Sequence, residues 1–460
     1  MYRTLKISVK HDDKLYCYFD RMTKAANNLR NTALYRVRQV LTLFEKSENE
    51  WTENERTVYE ELLHTLPVMG SRYSMPEKGK TFLSYYFLDA WMKASSNQDY
   101  YSSDLPRQSA QEILKSVSGS MKGFYASIRK YRKEPNSFTG KPSLPSYGKP
   151  GSNHNVSISN QDCVIYHKED GKNELKFPLT KERMDLGEAE IHGKLKLVTV
   201  TPFHGIFIVA ITFDDGITCP EKPESQRVIS IDFGTNNIAA IANNIGKPCL
   251  LFKGGAVKAI NQWYNKKMAE MVSKQTRGTT DKFIPTRKSE KLCIWRENHI
   301  SDFLNKTAVE ILQYCEKWDI DTIVIGCSKQ QKTGINIGHA NNQNFVQIPF
   351  FRFKQLIKYR AERIGIRVIE QEESYTSVSS FIDRDMLPVY GTSEKEESYV
   401  FSGRRITRGL YKTKTGMLIN ADLNGAANIM RKWCTDIFER TTFPDFTAVE
   451  VINYPCCKCK

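Results

Sequence analysis

Apolar positions along the chain change rhythm three times, and each change marks a different kind of element. Residues 1–19 alternate in the manner of a strand, and Asp20 then stands where a helix N-cap belongs. From Met22 the apolar positions fall at Ala25, Ala26, Leu29, Ala33, Val37, Val40, Leu41 and Phe44. That three-four spacing predicts a helix with one buried stripe. A second long helix is predicted from Arg107 to Lys133, with Ala110, Ile113, Leu114, Val117, Met121, Phe124 and Ile128 facing inward. Between the two, residues 47–105 read as a polar, Tyr-rich connector holding shorter helices.

The Pro- and Gly-dense stretch GKPSLPSYGKPG, residues 140–151, closes the helical region. The runs VSISN, CVIYH, NELKF, KLKLVTVTPF and GIFIVAITF follow, predicting a compact barrel or sandwich that the N-terminal strand joins. On this organisation a helical lobe, 20–133, is inserted into a β-rich module made of 1–19 and 134–225. From residue 226 the pattern shifts again. VISIDFGTNNIAAIAN (228–243) predicts two apolar strands around a tight turn, and DTIVIG (321–326) and IRVIE (366–370) predict two more. Helices are predicted from Pro349 to Ile364 and over ADLNGAANIMRKW (421–433), and residues 256–318 fit connecting helices broken near Lys274 to Lys291. Antiparallel strands followed by alternating helices and strands predict an α/β layer fold of the RNase H-like kind over 226–460.

Composition narrows the function classes. The chain is 40% hydrophobic and 11% aromatic, which excludes a disordered protein. Its 67 Lys and Arg against 52 Asp and Glu leave a net charge of +15, which points to a polyanionic partner. Arg30, Arg36 and the run Arg129, Lys130, Arg132, Lys133 stand on helices beside Tyr and Phe, the pairing that neutralises phosphates and stacks on bases. The N-terminus lacks an apolar signal core, and no run approaches the roughly 20 apolar residues of a membrane span. A cytoplasmic protein with no membrane partner is expected. Eleven cysteines lie mostly singly, as buried apolar residues do, and the cluster Cys456, Cys457 and Cys459 matches no common zinc module.

An ionised Asp232 inside the apolar strand VISID needs a compensating charge, and a metal ion is the simplest one. RNase H-like nucleases use carboxylates from distant segments to hold two Mg²⁺ ions roughly 3.5–4 Å apart. An Asp followed by Gly-Thr also opens the phosphate hairpin of actin-like ATPases. That fold needs a second Asp-Gly hairpin and a Gly-rich loop downstream, which are absent after residue 250. Asp422, at the start of the last helix, fits either an N-cap or a metal ligand. Asn424, Ala426, Ala427 and Asn428 form a small-residue face able to press on a sheet or a nucleic-acid backbone.

Taken in order, IDFGTNN, IVIG, NNQNFVQIPF, EESYTS, FSGRR, RGLYKT and INADLNGAANI resemble the TnpB family of bacterial insertion sequences, related to Fanzor proteins and type V CRISPR nucleases. The resemblance spans residues 228–435, with weaker support from LRNTALYRVRQ and LPRQSAQEILKSV. It implies a RuvC-like nuclease domain behind a wedge domain that carries a recognition lobe. It also implies a guide RNA from the transposon end, a double-stranded DNA target with a short flanking motif, and Mg²⁺ ions for which Mn²⁺ substitutes, in a monomer of the bacterial cytoplasm. Asp232 and Asp422 fall on the family's first and third catalytic acids. The second, a Glu ending the strand DTIVIG in most members, is Gly326 here. Some branches instead carry a Glu just before Tyr-Thr-Ser, which implies Glu373 in preference to Glu372. Neighbouring strands lie about 4.8 Å apart, close enough for a relocated carboxylate to reach the same ion. If Glu370, Glu372 and Glu373 are only an acidic strand end, the resemblance is to nuclease-inactive RNA-guided repressors. Where many members place two cysteine pairs, residues 374–419 contain neither Cys nor His, so no zinc ribbon is expected. That insert offers Arg404, Arg405, Arg408, Lys412 and Lys414 to nucleic acid, with Lys329, Lys332 and Tyr375 as further expected contacts.

Overall fold

The computed structural model describes residues 1–169, 171–187, 193–220, 226–327, 347–389 and 399–455, which fall into two compact units, Met1–Ile217 and Thr218–Lys460. In the first, strand β1 (Tyr2–Val9) leads into helix α1 (Tyr16–Leu43). The helix starts before Asp20, contrary to the N-cap expectation. Tyr18 and Phe19 look like strand residues in sequence, yet both are buried on the helix, where Phe19 packs edge-on against Phe177. Asp20 is an ordinary helical position paired with Lys24 at 2.6 Å. Helices α2 (Glu53–Met69) and α4 (Arg107–Lys133) pack on α1, α4 through the apolar stripe read from the sequence, and α3 (Tyr85–Ala94) packs against α2 and α4.

The β-rich stretch holds β2 (Val156–Ser159), β3 (Val164–His167), β4 (Asn173–Lys176), β5 (Arg183–Gly187), β6 (Lys194–Phe203) and β7 (Ile206–Asp214). They form two open sheets rather than one barrel, ordered β1-β7-β6-β2 and β3-β4-β5. The sequence reading had no β5, the strand that draws β3 and β4 into a sheet of their own. β1 pairs antiparallel with β7, from Tyr2 opposite Asp214 to Val9 opposite Phe207.

In the second unit β8 (Val228–Asp232), β9 (Asn237–Asn243) and β10 (Pro248–Lys253) form an antiparallel meander. Helices α5 (Gly255–Thr276) and α6 (Arg287–Lys317) lead to β11 (Thr322–Cys327), parallel to β8. Helix α7 (Phe350–Arg363) then returns the chain to β12 (Arg367–Glu372), parallel to β11. A small sheet of β13 (Arg404–Thr407), β14 (Leu410–Lys412) and β15 (Leu418–Asn420) precedes helix α8 (Ala421–Trp433) and the last strand, β16 (Asp445–Ile452). The main sheet runs β12-β11-β8-β9-β10-β16. Helices α5, α6 and α7 bury one face of it and α8 presses on the other. Among the described residues no helix is long and apolar enough to cross a membrane.

Candidate metal centre

Strand β8 is buried up to its final residue, Asp232, which emerges at the sheet's carboxyl edge. On the adjacent β11, Gly326 is bare: a Cβ there would lie 2.6 Å from Glu373 Oε2 and 2.6 Å from Ile429 Cδ1. Such distances are far below a van der Waals contact. The carboxylate of Glu373, the residue directly after β12, therefore fills the space that a side chain at 326 would use.

Helix α8 supplies the third acid. Asn420 is the N-cap, accepting from the Asp422 and Leu423 amides at 3.0 and 3.2 Å, so Asp422 is released from capping. Its Oδ2 accepts from Asn237 Nδ2 at 2.7 Å, and its Oδ1 lies 3.6 Å from the Arg405 guanidinium. One turn on, Gly425 admits Asp232: a Cβ at Gly425 would sit 2.7 Å from Asp232 Oδ2. The small-residue face of α8 thus meets the sheet, with Ser230 Oγ donating to the Ala426 carbonyl at 2.6 Å.

Burial pushes the Asp232 carboxyl well above the usual range, and the charges of Glu373 and Asp422 push it the same way against Arg405. Three acids from three segments share one field with too little positive charge. Oxygen donors of this kind suit a hard divalent cation, and the buried Asn237 Oδ1 beside Asp422 has no hydrogen-bond partner. The residues fit such an ion. Among the described residues, no three His, Cys, Asp or Glu side chains converge tightly enough to enclose one as they stand. Asp422 is turned toward Asn237 and Arg405 instead.

Glu372 is engaged elsewhere. It accepts from Lys432 Nζ at 2.5 Å and from the amide and hydroxyl of Ser374. Burial opposes its ionisation, but these donors outweigh burial and hold the carboxyl below its usual range. The segment after Glu373 is pinned to α8: Asn428 Nδ2 donates to the Thr376 and Ser379 carbonyls at 2.9 and 2.7 Å, and Asn424 Oδ1 accepts from the Phe381 amide at 2.9 Å. Tyr375 takes a left-handed backbone conformation, φ 63°, and its ring packs on Tyr399 and Phe401.

The insert holds together through aspartates. Asp385 Oδ2 accepts from the Ser380 amide at 2.8 Å and the Ser402 amide at 3.0 Å, and Asp383 Oδ2 accepts from the Lys414 amide at 2.9 Å. These bonds tie SSFID to FSGRR and to YKTKT within the insert. Asn237, Asp383 and Asp385 were missed in sequence. The doubled Asn of GTNN was the one available signal for the first.

The basic residues divide. Arg405 reaches Asp422, and Arg408 donates to Thr235 Oγ1 at 3.3 Å in the turn between β8 and β9. Arg404 and Lys412 face each other across β13 and β14 and are exposed. In the first unit Arg129, Lys130, Arg132 and Lys133 are exposed at the end of α4, and Arg129 and Arg132 line a groove of about 1100 Å³ with Lys122, Lys141, Phe82 and Tyr125. Arg30 donates to the Ser146 carbonyl at 3.0 Å. Arg36 departs from expectation: it is largely buried in an ion pair with Glu61 at 2.8 Å, which commits its charge to the helix packing. Lys329 and Lys332 lie outside the described residues, as does the Cys456 to Cys459 tail.

Residues 207–331 match the family model OrfB_IS605, described as a probable transposase, and residues 350–429 match the Cas12f1-like TNB domain. TnpB-like protein ORF457 of Acidianus two-tailed virus is 24% identical over 218 residues, 46% of this chain and 43% of that protein, so the chain spans less than half of this relative's length. A Cas12f1 chain solved by cryo-EM with sgRNA and target DNA superposes with a TM-score of 0.51 at 13% identity, covering 89% of this chain and 81% of that one. The first model takes in β8 and β11 and the second takes in β12 and most of α8, so that Asp232, Glu373 and Asp422 all fall inside matched segments, and these segments together with the TnpB-like relative make the chain similar to the TnpB family.

Proposed function

We propose that the protein is an RNA-guided DNA endonuclease encoded by a transposable element. Asp232, Glu373 and Asp422 would be its catalytic acids and would hold two Mg²⁺ ions, with Mn²⁺ able to replace them. The observation that carries this reading is the Glu373 carboxylate lying over the bare Gly326, in one electrostatic field with Asp232 and Asp422. When bound, such ions activate water and neutralise charge developing on the phosphate oxygens. The chain's own groups do the rest. Asn237 orients Asp422, Asn424 and Asn428 hold the segment that carries Glu373, and Arg405 and Arg408 offer fixed cations to a phosphate backbone.

In this reading the β-rich module (1–19, 134–225) is the wedge domain and the helices of 20–133 are the recognition lobe. They grasp guide RNA and target, with Arg129, Lys130, Arg132 and Lys133 on phosphates. Sequence is read by RNA–DNA pairing, while protein contacts the heteroduplex backbone and a short flanking motif. The basic insert at 374–419, through Arg404 and Lys412, approaches the target strand.

The test is to copurify the chain with RNA from the transposon end and supply a matched duplex with Mg²⁺. Asp232→Ala and Glu373→Gln are each expected to slow cutting about a hundredfold or more. Guided binding without a cut under any divalent metal would overturn the nuclease reading and leave a guided repressor.

A further inference from the structure

The hairpin of α5 and α6 carries chemistry that the acid site does not use. The buried residues of α5 stop at Asn261, and along α6 continuous burial against the sheet side resumes only at Ile300. The part between still holds Trp263, Met271, Phe283, Leu292 and Trp295, which wall a cavity of about 710 Å³. Trp263 and Trp295 stand 4.5 Å apart, ring centre to ring centre. Lys267, Lys274, Lys288 and Lys291 rim the opening, and among the described residues neither Lys288 nor Lys291 is ion-paired. Lys267 is partly satisfied by Glu270 at 3.1 Å.

The cavity is built in advance. Gln275 clamps the connecting loop at both groups of Ile284, accepting from its amide at 2.7 Å and donating to its carbonyl at 3.1 Å. Thr286 caps α6, and Tyr264 Oη lies 3.4 Å from Cys293 Sγ across the hairpin. Indoles beside four lysines, one of them answered by Glu270, suit an unpaired base with phosphates on either side.

We infer that this cavity is an RNA-binding site that takes an unpaired segment of the guide RNA, stacking a base against Trp263 while Lys288 and Lys291 meet the flanking phosphates. The inference rests on the guided reading above. Duplex DNA keeps its bases stacked inside and cannot enter, and unpaired DNA exists only after a target has opened. RNA loops are permanently unpaired, and their splayed bases are the usual object of aromatic recognition. A preformed cavity suits such a resident partner.

Binding of a fluorescent 20-nucleotide oligo(U) to the RNA-free full chain tests it, with oligo(dT) of the same length beside it. Trp263→Ala is expected to weaken oligo(U) about tenfold and Trp263→Phe much less, since stacking needs only an aromatic face. Lys288→Glu with Lys291→Glu, both at exposed positions, should weaken oligo(U) and flatten its salt dependence while the melting temperature stays unchanged. The transposon-end RNA should displace oligo(U). Unchanged oligo(U) binding in these variants, or tighter Trp263-dependent binding of oligo(dT), would overturn the site. Asp232→Ala separates the two readings: it should abolish cutting with oligo(U) binding intact. If no variant or wild-type complex cuts DNA but Trp263→Ala still loses RNA, the nuclease reading fails alone.

Discussion

At the scale of single residues, the site turns on an exchange between Gly326 and Glu373. A side chain at 326 and the Glu373 carboxylate compete for one volume, since a Cβ there meets Oε2 at 2.6 Å. Gly326→Glu alone is therefore expected to impair cutting through overlap and like charge. Combined with Glu373→Ala it should recover a measurable part of wild-type cutting, because the acid returns to a neighbouring strand of the same sheet. A double-mutant cycle on guided cleavage reads this coupling. Glu372→Gln should act on stability rather than chemistry, because Glu372 is bound to Lys432 and Ser374. Its cutting should remain within severalfold of wild type while Glu373→Gln is silent. Asp232 and Asp422 were legible in sequence because a carboxylate interrupts an apolar strand in one case and opens a helix in the other. The preference for Glu373 over Glu372 comes from the resemblance of EESYTS and not from periodicity. One residue at a strand end changes which way a side chain faces, and in the structure the Lys432 contact of Glu372 and the space at Gly326 taken by Glu373 set the two apart.

At the scale of elements, two devices replace features more often made by other means. The insert is cross-braced by Asp383 and Asp385, which accept backbone amides from three separate turns. Asp385→Ala leaves the Ser380 and Ser402 amides without partners and is expected to cost the insert about 2–3 kcal/mol. Faster hydrogen exchange at residues 399–414 would register this, with guide RNA binding unaffected. Helix α2 shows the same economy at its N-terminus, where Thr52 and Glu55 form a capping box and Lys46 sits 2.8 Å from the buried Glu55. Burial raises the Glu55 carboxyl, but the Lys46, Thr42 and Thr52 hydrogen bonds outweigh it and bring the value from 4.5 to about 2. The folded value lies below the unfolded one. Its stabilisation is therefore complete above about pH 4.5 and fades as the pH falls toward about 2. Glu55→Gln should cost about 2 kcal/mol at neutral pH, and denaturation curves should show that gap narrowing as the pH falls from about 4.5 toward about 2. Long helices were plain in the sequence: α4 and α8 occupy the spans read from their apolar spacing. The start of α1 and the strand β5 were not, because tertiary burial of Tyr18 and Phe19 overrode local alternation and because a short strand of mixed polarity carries little period.

At the scale of the whole molecule, the charge of +15 is distributed to both units, on the end of α4, the α5–α6 hairpin and the small sheet. Affinity for the guide RNA should therefore fall at least about tenfold between 100 and 300 mM salt, with the slope of log affinity against log salt counting the phosphates neutralised. Filter binding over that range checks it. Net charge could be counted from the sequence, but which cations are spent internally could not: Arg36 is consumed by Glu61. The glycine at 326 also bears on how such a chain can change over generations. An acid on β11 and an acid after β12 would occupy the same volume, so a chain carrying both has to swing one flexible side chain aside, and a chain carrying neither would lack that acid. Under the proposed function, single substitutions lead from one arrangement to the other only through a form with two competing acids or with none. Descendants of either arrangement are expected to keep it, so that, under the proposed function, this one small residue marks lineage as well as mechanism.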